Sequence, residues 1–275
     1  MAMVNLHPPL NSASVREPKP YAETFTVKLF GRRIRGLDLS HPLGPDTPAY
    51  PGHAKTAFWT HLSHAECKLR LGTQDEFPGY SVCGIVTCDH ASTHLDAVCH
   101  MNPKRPDLTI DQVSLEDLIT PGAWVDLSFV PPRTHITLAH LRAALEQAAV
   151  ERLEPGSTFL YYTGVAEHFH DPLRFVTHYP GLDYEASNWI LDQGVANVMT
   201  DAPSTDNPAD LSYPNHLSHG RRLVVHTELT ANINKIPRRQ GFYVLVMPLR
   251  WKGLSGSPVR AIALWEEDGT ADGRG

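Results

Sequence analysis

Polar side chains that can bind a cation are concentrated between His90 and His100. Three imidazoles and one carboxylate lie two or four positions apart along the chain, and they belong to His90, His94, Asp96 and His100. Side chains two or four positions apart share one face of an extended strand. A strand, or a strand that runs into a loop, would therefore point all four groups into one cavity. Their burial is costly unless something binds them, and a divalent metal ordinarily binds neutral imidazole and carboxylate.

A metal site that performs chemistry needs an open coordination position and a group that moves protons. The first stretch supplies His90, His94 and Asp96 as candidate ligands. His100 lies four residues beyond Asp96 and is either a further ligand or the group that carries a proton beside the metal. Asp96 has two carboxylate oxygens, so it would bridge two ions if a second ion site exists.

The remaining ligands must come from a distant part of the chain, and the best candidates lie in segments 214–219 and 223–229. Glu228 is out of pattern in the second segment, because its neighbours Val224, Val225 and Leu229 are apolar. An exposed position on an edge strand explains Glu228 equally well.

The elements that would position these side chains are mostly strands. Runs rich in Val, Ile, Phe and Tyr predict strands at 24–29, 34–39, 81–88, 123–129, 158–163, 195–200, 223–229, 242–249 and 259–264. Helices are predicted at 137–153, where Leu138, Leu141 and Leu145 form a stripe, and at 183–193, with a short helix at 114–119 and a weaker one near 207–220. Because some strands follow one another without a helix between them, the pattern indicates an α/β protein without a regular doubly wound sheet.

A resemblance to a known family arises from the same residues. The run His90-xx-Thr93-His94-x-Asp96-xxx-His100 resembles the signature His-x-Gly-Thr-His-x-Asp-x-Pro-x-His of the cyclase family of metal-dependent hydrolases. Further similarities follow in the family's order at 38–43, 50–52, 180–182, 185–195, 201–206, His216, Glu228 and 256–261. The match covers roughly residues 36 to 265. It departs from the family pattern at Ser92, Val98 and Thr200, which replace two glycines and a proline.

The resemblance implies a single cyclase-like swivelling β/β/α domain over 23–275, with a mixed sheet core and flanking helices. Residues 1–22, which are rich in proline and polar side chains, are predicted to form a flexible N-terminal arm. The implied metal ligands are His90, His94, Asp96, His216 and Glu228. Asp96 would be shared between two ions, and His100 would be the catalytic proton carrier. The ion is Zn²⁺ or Mn²⁺, as one or two ions, because formamidase-like members suggest zinc and isatin hydrolase-like members suggest manganese.

The implied reaction is hydrolysis of a C–N bond in an amide, formamide or cyclic amide, or of a lactone, in a small aromatic substrate. Two alternatives stay open: a cyclase or lyase that uses the metal without net hydrolysis, and a non-catalytic metal-binding protein. The residues considered as pocket aromatics are Phe58, Trp59, Phe77, Tyr80, Phe169 and Tyr179. Segment 53–80 is expected to cover the site.

Composition limits the partners. The net charge of −6 and the lack of a dense Lys/Arg run argue against nucleic acid and anionic membranes. No apolar run reaches the roughly 18 residues that span a bilayer. The four cysteines of this long chain are expected to be reduced thiols in a cytoplasmic protein. The expected partners are a small-molecule substrate and further copies of the chain, in a homodimer or homotetramer.

Overall fold

The computed structural model describes residues 18–71 and 77–267. The strands in this part of the chain are β1 Thr24–Leu29, β2 Arg32–Asp38, β3 Ala57–Leu62, β4 Val82–Val86, β5 His94–Asp96, β6 Ile119–Asp126, β7 His135–Ile136, β8 Thr158–Tyr162, β9 Gly181–Leu182, β10 Asn197–Thr200, β11 Val225–Glu228, β12 Phe242–Pro248 and β13 Gly256–Glu266. The α-helices are α1 His64–Leu71, α2 Val98–Met101, α3 Leu138–Gln147, α4 Pro172–Thr177, α5 Tyr184–Asp192 and α6 Pro214–Arg222. Single 3-10 turns lie at Ile110–Gln112, Leu115–Leu118, Val165–His168 and Ile233–Lys235.

A nine-stranded sheet in the order β1-β2-β13-β12-β6-β8-β10-β11-β5 organises the fold. Its centre, β6-β8-β10-β11, is parallel, and its other pairings are antiparallel. Strand β13 also pairs with β5, so the sheet closes on itself. The predicted α/β class, a single domain with a mixed sheet core and flanking helices, is confirmed.

The central strands are buried on both faces, as parallel strands usually are. In β8, Leu160 belongs to the hydrophobic cluster that fills the closed sheet, whereas Phe159 and Tyr161 belong to a second cluster. Leu141 of α3 and Ile190 of α5 pack into that second cluster, so these helices cover the outer face of the sheet. Complete burial of a side chain such as Phe159 contributes about 1.5–3 kcal/mol. The strand ends that carry the polar side chains are therefore held on a rigid frame.

Helix boundaries follow local signals that the sequence contains. The helix predicted at 183–193 is α5, and the Asp183 carboxylate caps it by accepting a hydrogen bond from the Ala186 N–H at 2.7 Å. The helix predicted at 137–153 ends earlier, because Ala149 adopts a left-handed φ of 52°. The short helix predicted at 114–119 is a 3-10 turn, and the weak helix near 207–220 begins only at Pro214, where proline fits the first turn.

One expectation about the polar stretch is wrong. The even spacing predicted a strand, or a strand that runs into a loop, that points four side chains into one cavity. Only His94–Asp96 is a strand, His90 lies in a turn before it, and His100 lies in α2. The side chains still converge, because the chain bends around the carboxylate of Asp96.

The segments expected to move or to cover the site are only partly described. Of the predicted arm 1–22, residues 1–17 lie outside the described residues, and the Tyr21 hydroxyl donates to Asp38 Oδ2 at 2.9 Å. The arm boundary stays a prediction. Residues 72–76 of the expected cover 53–80 also lie outside the described part, and most of the rest forms β3 and α1. Among the helices that the structure describes, none combines the length and apolar composition needed to cross a membrane.

Candidate metal centre

Two neighbouring strands carry four of the converging side chains. Strands β5 and β11 pair antiparallel with Asp96 opposite His226 and with His94 opposite Glu228. Because alternate residues of a strand face the same side, His94 and Asp96 share a face, and so do His226 and Glu228. The pairing therefore places two imidazoles and two carboxylates side by side on the same surface of the sheet.

Three further imidazoles reach Asp96 from outside these strands. His90 Nδ1 lies 2.6 Å from Asp96 Oδ1. His100 Nε2, from α2, lies 3.7 Å from Asp96 Oδ2, and His216 Nε2, from α6, lies 3.9 Å from the same oxygen. The structure thus brings together all six residues that the sequence analysis singled out. Their roles as ligands and proton carrier remain predictions.

The candidate ligand atoms form two groups that share one carboxylate. One group contains His90, His94 and Asp96, and the other contains Asp96, His216, His226 and Glu228. Within each group the possible ligand atoms lie within 4.8 Å of one another. Asp96 and Glu228 are 1% and 4% exposed, and buried carboxylates need compensating positive charge. Mixed imidazole and carboxylate donors suit a divalent cation, so the residues present fit the metal that the family resemblance implies.

Hydrogen bonds orient the candidate ligand imidazoles. The Nδ1–H of His94 donates to the Ser92 carbonyl at 2.9 Å, and that of His216 donates to Asp206 Oδ2 at 2.5 Å. In both rings this leaves Nε2 to face the shared space. An outer partner of this kind fixes the tautomer and ring plane of a metal-binding histidine and commonly raises its basicity.

The electrostatics of the two carboxylates favour their charged forms. Burial alone would raise the pKa of Asp96, but the imidazoles of His90, His100 and His94 outweigh burial and hold that pKa well below its usual range. Burial likewise opposes ionisation of Glu228, and the neighbouring His226 overcomes it and lowers the pKa of Glu228. Both side chains therefore offer anionic oxygens at neutral pH.

His100 lies at the edge of the cluster and is still 29% exposed. Burial lowers the pKa of its imidazole to about 4, so the ring is neutral at pH 7 and offers a lone pair. Its ring centroid lies 4.1 Å from that of His90 and 5.5 Å from that of His216. A neutral imidazole beside the candidate ligands and open to solvent has the properties of a proton acceptor.

Two residues, Ser92 and Val98, depart from the family signature, but the backbone still brings the candidate ligands to the cluster. Ser92 replaces the signature glycine and adopts a left-handed φ of 56°, a conformation that glycine tolerates best. Its hydroxyl lies 3.2 Å from the carbonyl oxygens of His41 and Pro42, which tie the strained turn to the neighbouring loop. Val98 replaces the signature proline at the first position of α2, where the N–H needs no helical partner.

Two glycines let the surrounding elements approach the site closely. A Cβ at Gly256 of β13 would lie 2.6 Å from the His90 ring. A Cβ at Gly220 of α6 would lie 2.5 Å from the Met101 carbonyl oxygen of α2. The missing side chains therefore allow His90 to lie against β13 and allow α6 to pack on α2, which fixes His216 near His100.

Sequence reasoning missed two residues of the cluster. His226 is fully buried, and its Nε2 lies 2.8 Å from Asp96 Oδ2. Asp206, which holds His216, matched the family pattern but was given no role. The signal for His226 was present, since it lies two residues before Glu228 in a predicted strand and so shares its face. Because the other neighbours of Glu228 are apolar, the sequence pattern did not single out His226.

A cavity of about 130 Å³ opens beside the cluster. Besides the candidate ligands and His100, its walls are Pro48, Tyr50, His53, Val176, Pro203, Ser204, Tyr213 and Leu229. The six aromatics proposed from the sequence are not among these residues. Phe58, Trp59, Phe77 and Tyr80 are exposed, whereas Phe169 and Tyr179 belong to a buried cluster. The aromatic walls are instead Tyr50 and Tyr213.

Comparisons with known proteins identify the family of this chain. The family model "Putative cyclase" matches residues 37–207, which is more than half of the chain. The chain belongs to the cyclase family. A kynurenine formamidase from Salinibacter ruber is 26% identical over 82% of this chain and 95% of its own length. An isatin hydrolase from Roseibium aggregatum is 24% identical over 86% of this chain and 94% of its own length.

Solved structures share the cyclase fold. An isatin hydrolase bound to the product analogue thioisatinate has a TM-score of 0.74 at 21% identity, covering 85% of this chain and 93% of that one. The hydrolase class predicted from the sequence is confirmed by these relationships, and the cluster around Asp96 fits the predicted metal dependence.

Proposed function

We propose that this cyclase-family protein hydrolyses an amide, formamide, cyclic amide or lactone bond of a small aromatic substrate. The observation that carries the proposal is the convergence of two buried carboxylates, Asp96 and Glu228, with candidate ligand imidazoles at the wall of one cavity. A bound divalent cation supplies Lewis acidity, which polarises a carbonyl and activates water at neutral pH.

The protein's own groups supply binding, orientation and proton transfer. The carboxylate of Asp96 and the imidazoles of His90 and His94 would hold one cation, and Asp96, His216 and Glu228 would hold a second where two are bound. His100 accepts a proton at Nε2 from the attacking water and returns it to the leaving nitrogen or oxygen. Because this ring is neutral at pH 7, it is able to act as the base without prior deprotonation.

The cavity walls suit a flat, small substrate. Tyr50 and Tyr213 present aromatic surfaces and hydroxyls, with the two oxygens 3.5 Å apart. Val176 and Leu229 add apolar surface. Aromatic side chains favour offset or edge contacts with a planar ring. The names of the related kynurenine formamidase and isatin hydrolase support an aryl formamide or a cyclic aryl amide as the substrate class.

The bound cation is proposed to be Zn²⁺ or Mn²⁺, as one or two ions, because mixed imidazole and carboxylate ligands suit both metals. We place the protein in the cytoplasm, a proposal supported by its four free cysteines. The net charge of −6 supports a small-molecule substrate over nucleic acid or an anionic membrane.

The test combines elemental analysis with a panel of N-formyl aryl amines, isatin-like cyclic amides and lactones. We expect a stoichiometric divalent metal and turnover of at least one member, with loss of both after chelation and recovery on adding the metal back. Product mass separates hydrolysis from the cyclase or lyase alternative, since hydrolysis adds one water. Metal-independent turnover, or a product without added water, would refute the proposed reaction.

We further propose that the protein assembles as a homodimer or homotetramer through the β3–β4 hairpin. This hairpin pairs with no other strand among the described residues, and a two-stranded hairpin alone is marginally stable. Its cross-strand pair Phe58 and Ile85 is 44% and 61% exposed, and Val86 is 52% exposed. A second copy would cover such apolar surface with its own hairpin, in the self-complementary contact of a two-fold dimer.

Introducing a charge at Ile85 is expected to weaken this assembly. In Ile85→Lys an ammonium group would be buried against apolar surface, which is costly without a partner charge. Light scattering at micromolar concentration should show wild-type oligomers and a variant shifted toward monomer. Leu115→Lys, at an exposed apolar position in a 3-10 turn, serves as the matched control and should retain the wild-type mass. A monomeric wild type, or an Ile85→Lys variant of unchanged mass, would contradict the proposal.

A further inference from the structure

His226 and His219 form a buried pair of imidazoles that the proposed reaction does not use. Both residues are 0% exposed, and their Nδ1 atoms lie 2.7 Å apart. Two imidazole nitrogens approach so closely only when one donates an N–H and the other accepts it. The other nitrogen of His219, Nε2, is buried without a hydrogen-bond partner in the described structure.

The opposite side of His226 faces the candidate metal centre. Its Nε2 lies 2.8 Å from Asp96 Oδ2 and 3.3 Å from Glu228 Oε1. His216 stacks edge-on against the same ring, with centroids 4.7 Å apart. The His226 ring therefore contacts His219 through Nδ1. Its Nε2 faces the two carboxylates, beside the other atoms of the second ligand group.

This arrangement repeats the one seen for the other candidate ligands. His94 and His216 each use Nδ1 to donate to an outer acceptor, and each leaves Nε2 toward the carboxylates. If His226 Nδ1–H is the donor of the buried pair, the outer acceptor is the Nδ1 of His219. An outer acceptor is the usual companion of a metal-binding imidazole, because it fixes the tautomer that presents a lone pair to the metal. A buried imidazole that directs its second nitrogen at two carboxylates either compensates their charge as an imidazolium or binds a cation together with them, and metal titration distinguishes the two.

We propose that His226 is an additional ligand at the second ion site that the family resemblance implies for Asp96, His216 and Glu228, and that His219 is the positioning residue that presents His226 Nε2. The proposal rests on the metal-dependent function proposed above. It adds a second imidazole to the second donor group, which then matches the four ligands that a zinc-like ion commonly takes.

The test measures metal binding directly, independently of turnover. Metal-stripped protein is titrated with Zn²⁺, Mn²⁺ or Co²⁺ by calorimetry and equilibrium dialysis, and Co²⁺ absorption reports changes in the ligand set. We expect two ions per wild-type chain. His226→Asn places an amide where Nδ1 lies but has no atom at Nε2. The variant should bind the first ion with wild-type affinity, and its affinity for the second ion should fall by at least about 100-fold.

Variants of His219 separate positioning from simple packing. In His219→Asn the amide oxygen replaces Nδ1 as acceptor, so second-ion affinity should stay near the wild-type value. His219→Leu removes the acceptor and should weaken the second ion by about 10–100-fold. Thermal unfolding in chelator identifies a variant that merely fails to fold. If His219→Leu and His219→Asn lose the same affinity, the positioning role is refuted.

The outcomes distinguish this inference from the proposed function. Two ions in the wild type and one in His226→Asn support the inference even if no substrate in the panel is hydrolysed. A wild type that binds one ion overturns the inference, as does a His226→Asn protein that binds two with unchanged affinity and an unchanged Co²⁺ spectrum. Metal-dependent hydrolysis would leave the proposed function standing in either of those cases.

Discussion

His94→Ala is expected to lose bound metal and turnover together. His94 lies opposite Glu228 in the β5–β11 pair, is 3% exposed, and has its Nδ1 held by the Ser92 carbonyl. Its Nε2 lies 3.1 Å from Asp96 Oδ1, inside the first group of candidate ligand atoms. Alanine removes that nitrogen from the group of candidate ligand atoms.

The expected loss is large because the cation contributes to both water activation and carbonyl polarisation. These effects amount to several kcal/mol, and each 1.36 kcal/mol is a factor of ten in rate, so kcat/KM should fall by about 10³-fold or more. Elemental analysis of the purified variant and steady-state kinetics on the best substrate provide the measurement. His61→Ala, which removes an exposed imidazole from β3, is the matched control and should keep metal and rate. A His94→Ala enzyme with full metal content and wild-type kinetics would show that the assigned centre is wrong.

How far the sequence predicts this centre differs between residues. The spacing of His90, His94 and Asp96 correctly indicated convergence, although the strand that was expected to carry most of these side chains covers only His94–Asp96. The backbone turns at Ser92 and enters a helix at Val98. Sequence periodicity describes one helix or strand at a time. Here a turn, β5 and α2 together bring their side chains to the carboxylate of Asp96.

The distant half of the cluster depends on strand register, which no local pattern encodes. The apolar run around Glu228 indicated a strand, but only the pairing of β11 with β5 places Glu228 opposite His94. The same register brings His226 opposite Asp96, a contact between residues 130 positions apart. Family resemblance supplied His216 and Glu228 and could not supply His226, because that residue is outside the motif used for the comparison.

The residues that line the cavity were the least predictable part of the site. Residue type alone favours Phe58 and Trp59 as pocket aromatics, but both lie in the β3–β4 hairpin outside the main sheet. Tyr50 and Tyr213 come from separate loops, and Tyr213 has a left-handed φ of 49° just before α6. Loop conformations of this kind follow from tertiary packing, so composition cannot reveal which aromatics face the cavity.

His100→Ala is expected to separate metal binding from turnover, in contrast to His94→Ala. His100 Nε2 lies 3.7 Å from Asp96 Oδ2, and His100 is in neither group of candidate ligands. Its removal should therefore leave the metal content unchanged. If the ring carries the proton during hydrolysis, kcat should fall by about 10²–10⁴-fold, the usual contribution of a positioned acid–base group.

Added imidazole offers a sharper readout than the loss of rate alone. His100 is 29% exposed at a solvent-accessible cavity, so a small imidazole can occupy the space that alanine leaves. Rate recovery that saturates with imidazole concentration, at constant metal content, would identify proton transfer as the missing step. Loss of metal in His100→Ala would instead make His100 a ligand, and unchanged kcat would exclude it from the chemistry. Together, His94→Ala and His100→Ala therefore test whether His94 binds the cation while His100 transfers the proton.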